Sequence, residues 1–168
     1  MMWTKIKNLS MRISRKRNDI LIVAIWTALL TLIVIKIYWL AYAGSERLSH
    51  YQIAYTIYEG PSPGYLDLII AVVAGIIFGL LLSDVKEIIY GFVASFFSSF
   101  IIGVIYGMLY IWYVLDWGKI FGATPFDWEW ALFFSVLNIG RIMFPLILGV
   151  SLLGVAVGAV LRTWVGWL

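Results

Sequence analysis

Ser135, Asn138 and Arg141 fall along one side of a helix, and they are the strongest chemical signal in this sequence. An arginine held at the centre of a bilayer costs about 2.5–3.5 kcal/mol on insertion scales, so such residues face a cavity or a partner. Ser135 and Asn138 are placed to hydrogen-bond it, and Asp67 or Asp127 could neutralise it. With those neighbours the stripe would line a polar path for an anionic solute, or meet a partner. The plainer expectation, which we favour, is a guanidinium reaching the headgroups from an interfacial helix. Lys36 and Asp67 sit near helix ends and read as interface anchors.

Other chemistry is sparse. His50 has no placed serine, cysteine or metal-ligand companion and reads as a loop residue. Asp127 and Glu129 fall on different sides of any regular element, which is poor for joint acid–base work. Asp84 and Glu87 are spaced like a capping box, with Asp in place of the usual Ser or Thr. Cysteine is absent, which excludes a disulfide framework, a thiolate metal site and a cysteine nucleophile. No catalytic residue, metal site or cofactor is expected.

A second constellation concerns packing. Gly91, Ser95, Ser99, Gly103 and Gly107 place a small residue every four positions; Ala71, Gly75 and Gly79 do the same, as do Gly154 and Gly158. Small residues let helix backbones approach closely where lipid offers no hydrophobic drive. Most of this is expected to be internal packing. A bundle of four spans has little interior, however, so a surplus stripe would be free to dock another helix.

The elements that carry these residues follow from hydropathy. The chain is 63% hydrophobic and 12% charged, with mean hydropathy +0.98. That is far outside the range of soluble domains. A hydrocarbon core needs about 20 helical residues, and only helices or closed barrels satisfy their backbone within it. The expected fold is all-α: one polytopic membrane helical bundle over residues 1–168. A basic leader (1–19) precedes spans at 20–43, 65–82, 87–115 and 142–161, with an outer loop at 44–64 and an outer interfacial helix at 127–140. The short turn at 83–86 makes the second and third spans an antiparallel hairpin. The 127–161 stretch has a runner-up, one long tilted helix that carries Arg141 into the membrane.

Orientation rests on charge. Lys5, Lys7, Arg12, Arg15, Lys16 and Arg17 crowd the leader, and Lys86 and Arg162 fall on the same side. The positive-inside rule then puts both termini in the cytoplasm of a multi-pass cell-membrane protein. Ala41-Tyr42-Ala43 resembles a signal-peptide cleavage site, but the long apolar core before it and the anchors Lys36, Tyr38 and Trp39 favour an uncleaved span. Basic residues gathered at one end do not suggest nucleic acid. The bilayer is the expected environment, with a membrane-protein partner or a second copy as the expected associate. Surplus packing faces and sparse chemistry point to a non-enzymatic accessory or scaffold subunit; a small oligomeric transporter or channel for an anionic solute is the alternative.

Overall fold

A computed structural model describes residues 2–42, 59–82, 84–114 and 127–165. Its elements are α1 (Met2–Tyr42), α2 (Tyr65–Leu81), α3 (Val85–Leu109) with a π-helical turn at Tyr110–Val114, α4 (Asp127–Ile142), a second π-helical turn at Met143–Ile147, and α5 (Leu148–Val165). The chain is an all-α bundle, with no strand among the described residues. Three stretches, Lys16–Tyr42, Val85–Val114 and Trp128–Trp164, are long and apolar enough to cross a membrane. The shorter α2, at 17 residues, is also apolar. This is the character of a multi-pass membrane protein. Ser45, His50 and Lys119, with most of the expected outer loop, lie outside the described residues.

Packing fixes the helix directions, which we describe from the end bearing the basic segment of α1. Ser95 of α3 donates to the Val23 carbonyl of α1 at 3.3 Å and Ser99 to the Thr27 carbonyl at 3.0 Å. Gly103 lies against Val34 and Gly107 against Tyr38. The register rises together, so α1 and α3 run parallel from the basic end to the far end. Thr27 and Thr31 donate to those same carbonyls' ladder, to Val23 and Thr27 at 2.8 Å each. Each of these carbonyls therefore accepts two side-chain hydroxyls, one from its own helix and one from α3. Hydrogen bonds of this kind average about 0.6 kcal/mol in membranes, so the ladder sets register more than it supplies stability.

Helix α4 runs the opposite way, with Ser135 over Gly107 and Ile139 over Gly103. It descends beside the far half of α3 instead of lying across the end of the bundle as an interfacial helix would. The chain then breaks: Phe144 is extended (φ −111°, ψ 138°) ahead of Pro145. Proline bars the helical region to its predecessor and removes a backbone donor. The expected span at 142–161 is thus interrupted, and its regular part starts at Leu148.

The tightest contact joins α2 to α5. A Cβ built on Gly75 would stand 2.8 Å from the Ser151 carbonyl oxygen and 3.2 Å from the Gly154 Cα. On Gly79 it would run into the Val155 carbonyl, on Gly154 into the Val72 carbonyl, and on Gly158 into the Ile76 carbonyl. The two backbones touch over two turns and run parallel, towards the basic end. This changes the expected pairing. Although α2 and α3 are joined by a short turn, α2 packs chiefly on α5, and it meets α3 where Phe78 and Leu82 reach Gly91. Short connections favour antiparallel neighbours, but two glycine faces of matching pitch fit each other better.

No small-residue stripe is left over among the described residues. Gly91, Ser95, Ser99, Gly103 and Gly107 are buried against α1, α2 and α4, and the α2 and α5 glycines close on one another. The expected surplus face is absent because the bundle consumes all three. A further difference lies in the leader, which continues α1 as helix back to Met2. At the start of α3, Asp84 is the N-cap residue but its side chain makes no capping bond, so the spacing of Asp84 and Glu87 does not produce the expected box.

Candidate functional site at the far end of the bundle

Polar side chains collect where the far ends of α1 and α4 meet the segment leading into α2. Asp67 sits in the first turn of α2, where a carboxylate suits the helix dipole, and its Oδ2 accepts from the Gly64 backbone N–H at 3.1 Å. Its Oδ1 accepts from Lys36 Nζ at 2.7 Å. Asp67 is buried, whereas the Lys36 side chain keeps 48% of its surface exposed. The two residues expected as separate anchors therefore form an ion pair that ties the start of α2 to α1. Pro61, Pro63 and Gly64 explain why α2 starts no earlier.

The three residues of the polar stripe are distributed among different tasks. Ser135 is buried and donates to its own helix, to the Ala131 carbonyl at 2.7 Å. Asn138 is buried and donates from Nδ2 to the Tyr42 hydroxyl at 3.1 Å. Arg141 is exposed and donates to the Glu59 carbonyl at 2.7 Å. Between the last two lies Gly60, with φ +72°. A side chain there would meet Asn138 Oδ1 at 2.8 Å and Arg141 Cδ at 3.1 Å, so both the backbone conformation and the clearance call for glycine. Ser135 and Asn138 both face the buried Tyr38 of α1, while Arg141 turns to the segment before α2.

Four tyrosines complete the cluster. Tyr38 and Tyr42 of α1 meet Tyr106 and Tyr110 of the third span, with ring centroids between 4.9 Å (Tyr38–Tyr42) and 6.1 Å (Tyr38–Tyr106). Tyr38 stands edge-on to Tyr110 at 5.7 Å, a geometry that suits the ring quadrupoles. Tyr38, which reads as an interface anchor in the sequence, instead points inward, as does Tyr42. The signal that marks them is their i, i+4 spacing on the α1 face that already carries Val34, matched by Tyr106 and Tyr110. Trp39, Trp112, Tyr113, Trp128 and Trp130 are exposed, as collar residues are. Tyr38 Oη and Asn138 Oδ1 are buried without a hydrogen-bond partner among the described residues.

Replacing Arg141 tests the fastening role. Its bond is charge-assisted but exposed, so Arg141→Leu is expected to lower stability by about 1 kcal/mol. Arg141→Lys is expected to cost less, because one ammonium donor can still reach a carbonyl. Thermal unfolding in mild detergent measures both, and a neutral Arg141→Leu would remove the Glu59 contact from the account.

At the opposite end, Arg162 of α5 donates to the Leu82 carbonyl at the end of α2. A cation there suits the helix C-terminus and closes the α2–α5 pair at its basic end. Among the described residues no three His, Cys, Asp or Glu side chains are gathered to hold a metal. No protein-family model, curated protein or solved structure matches this chain.

Proposed function

We propose that the chain is a non-enzymatic accessory or scaffold subunit of a larger membrane assembly, seated in the cell membrane with its basic end in the cytoplasm. The observation that carries the reading is the unbroken course of α1 from Met2 to Tyr42. Its apolar run starts at Ile20, after Lys16-Arg17-Asn18-Asp19. At 1.5 Å per residue the helix before that point is about 27 Å long, while the headgroup layer is about 5–8 Å deep on each side. A helix needed only for orientation would have no reason to stand so far clear of the bilayer. The polar residues that fasten the far end support the same reading, since they make the bundle a rigid base for that extension.

Transport of an anionic solute is the second reading, favoured by the exposure of Arg141 and the half-exposed Lys36. Against it, Ser135 and Asn138 are buried in contacts with α1, α3 and their own helix.

Native mass spectrometry after gentle extraction tests the subunit reading. The expected result is a defined larger complex that dissociates when residues 2–15 are deleted; a lone monomer of unchanged stability would overturn it. Orientation is read separately, in a chain that has no native cysteine. Cysteines introduced at His50 and Thr124 are expected to react with an impermeant maleimide in intact cells, and one at Ser14 is not.

A further inference from the structure

We infer that the α2–α5 side of the bundle thins the bilayer beside it and gathers phospholipids with short acyl chains. The inference rests on helix lengths and is independent of the subunit reading.

Lipid-exposed backbone within the hydrocarbon must be helical, because nothing there satisfies a free N–H or C=O. That rule bounds the hydrocarbon along α2 at both ends. Before it, residues 60–64 are not helical, and Ser62 and Gly64 are exposed. After it, Leu82 is extended, its carbonyl accepts from Arg162, and Asp84 and Lys86 are exposed. Between these limits α2 has 17 residues, about 25 Å at 1.5 Å per residue. From Asp67 to Leu82 the rise is only about 22 Å. The apolar run of α1 agrees: Ile20–Ile35, between Asp19 and Lys36, rises about 24 Å. An average hydrocarbon core is about 30 Å thick. A side chain such as Lys36 can snorkel across the shortfall, but a stretch of backbone cannot.

Helix α5 repeats the measurement. Gly154 faces Gly75. Towards the far end, Leu148 stands about 9 Å above Gly154 and Asp67 about 12 Å above Gly75, so both helices begin at nearly one height. Just ahead of Leu148 the helical backbone gives out: Phe144 is extended, and Phe144 and Pro145 are exposed. The pair is thus a slab about 22–25 Å tall, with Leu66, Ile70, Ile77, Leu153 and Val157 exposed on its lipid face. The third span differs. Ile88–Val114 carries no charge and rises about 39 Å, with Ile102, Ile105 and Leu109 exposed. Inclining the bundle to submerge that span would shorten the projection of α2 further. A span too short for its bilayer is met by thinning, and a thinned core favours short chains. Gly91 meets Phe78 and Leu82, so α2 and α3 share a level at the basic end and the deficit falls in the far leaflet.

Single cysteines at Leu66 and Ile102, each carrying a nitroxide in the reconstituted full chain, test this. Leu66 stands about 18 Å above Phe78, and Ile102 about 17 Å above Gly91, which touches Phe78. In bilayers of eighteen-carbon phosphatidylcholine, the label at Leu66 is expected to meet a water-soluble relaxant and the label at Ile102 only oxygen. Labels at Leu81 and Ile89, near the basic end, are expected to be equally wet. Equal dryness at Leu66 and Ile102 would overturn the inference, as would a dry Leu81 beside a wet Ile89, the mark of a bundle that only leans. The unmodified chain supplies a second readout. Its thermal unfolding midpoint is expected to be highest in fourteen-carbon bilayers and to fall through eighteen to twenty-two. The shorter lipid is also expected to be enriched about twofold or more around protein extracted from a mixture. A maximum at eighteen carbons or longer, or a dimer that buries α2, would sink the idea. Either failure leaves the subunit reading standing, since that reading is decided by the larger complex.

Discussion

Gly158→Leu and Gly79→Leu are expected to prevent the bundle from forming, and even Gly158→Ala to destabilise it by roughly 3 kcal/mol or more, at the upper end of overpacking costs. At both positions a Cβ would land on the partner helix's backbone, which cannot turn aside as a side chain can. Gly91 provides the contrast. Its nearest neighbours are the side-chain atoms Val23 Cγ2 at 2.9 Å and Phe78 Cζ at 3.2 Å, so Gly91→Ala is expected to cost about 1 kcal/mol, at the lower end of that range. Gly149 has nothing within 4 Å of such a Cβ, and Gly149→Ala should be neutral or slightly stabilising. Ile102→Leu, at a largely lipid-facing position, should change nothing measurable. Thermal unfolding in detergent ranks the set; a Gly158→Ala variant as stable as Gly149→Ala would mean that α2 and α5 do not pack backbone to backbone.

Lys36→Met is expected to cost about 1–3 kcal/mol, less than breaking a fully buried ion pair because the Lys36 side chain is half-exposed. Asp67 is the buried member, 6% exposed, so the loss should be greatest when its charge is kept and its partner removed. Lys36→Met/Asp67→Leu should recover most of the stability, since two apolar groups of similar volume often replace such a pair without penalty. Asp67→Asn should lie between, because it keeps an acceptor for the Gly64 N–H while removing the charge. A double mutant no more stable than Lys36→Met would show that the pair does not act as a unit.

Much of the fold is legible in the residues because lipid imposes strict rules. Spans must be long, apolar and helical, and basic residues gather at one end; the helical stretches at Lys16–Tyr42 and Val85–Val114 follow directly. The small stripes are legible too, since their glycines and serines pack against another helix. Their partners are not. Whether Gly75 faces a neighbour in this chain or a second protein depends on the pitch of both surfaces, and nothing local to α2 reports the position of Gly154. The same limit applies at the far end. Lys36 and Asp67 each look like a headgroup anchor when read alone, and only the three-dimensional arrangement makes them a pair. Ser135, Asn138 and Arg141 show the reverse error. They share a helix face in sequence, yet each bonds to a different part of the chain.

The parallel α2–α5 contact also dictates an order of events during synthesis. The glycine face of α2 ends at Gly79, and its mate is complete at Gly158. At 5–20 residues per second, roughly 4–16 s of translation separate the two. During that interval α2 is a short apolar helix with a row of glycines turned to lipid, held by Lys36 at one end and by Phe78 against Trp26 near the other. The ribosome therefore delivers a half-closed intermediate, and the protein matures when α5 arrives to close it.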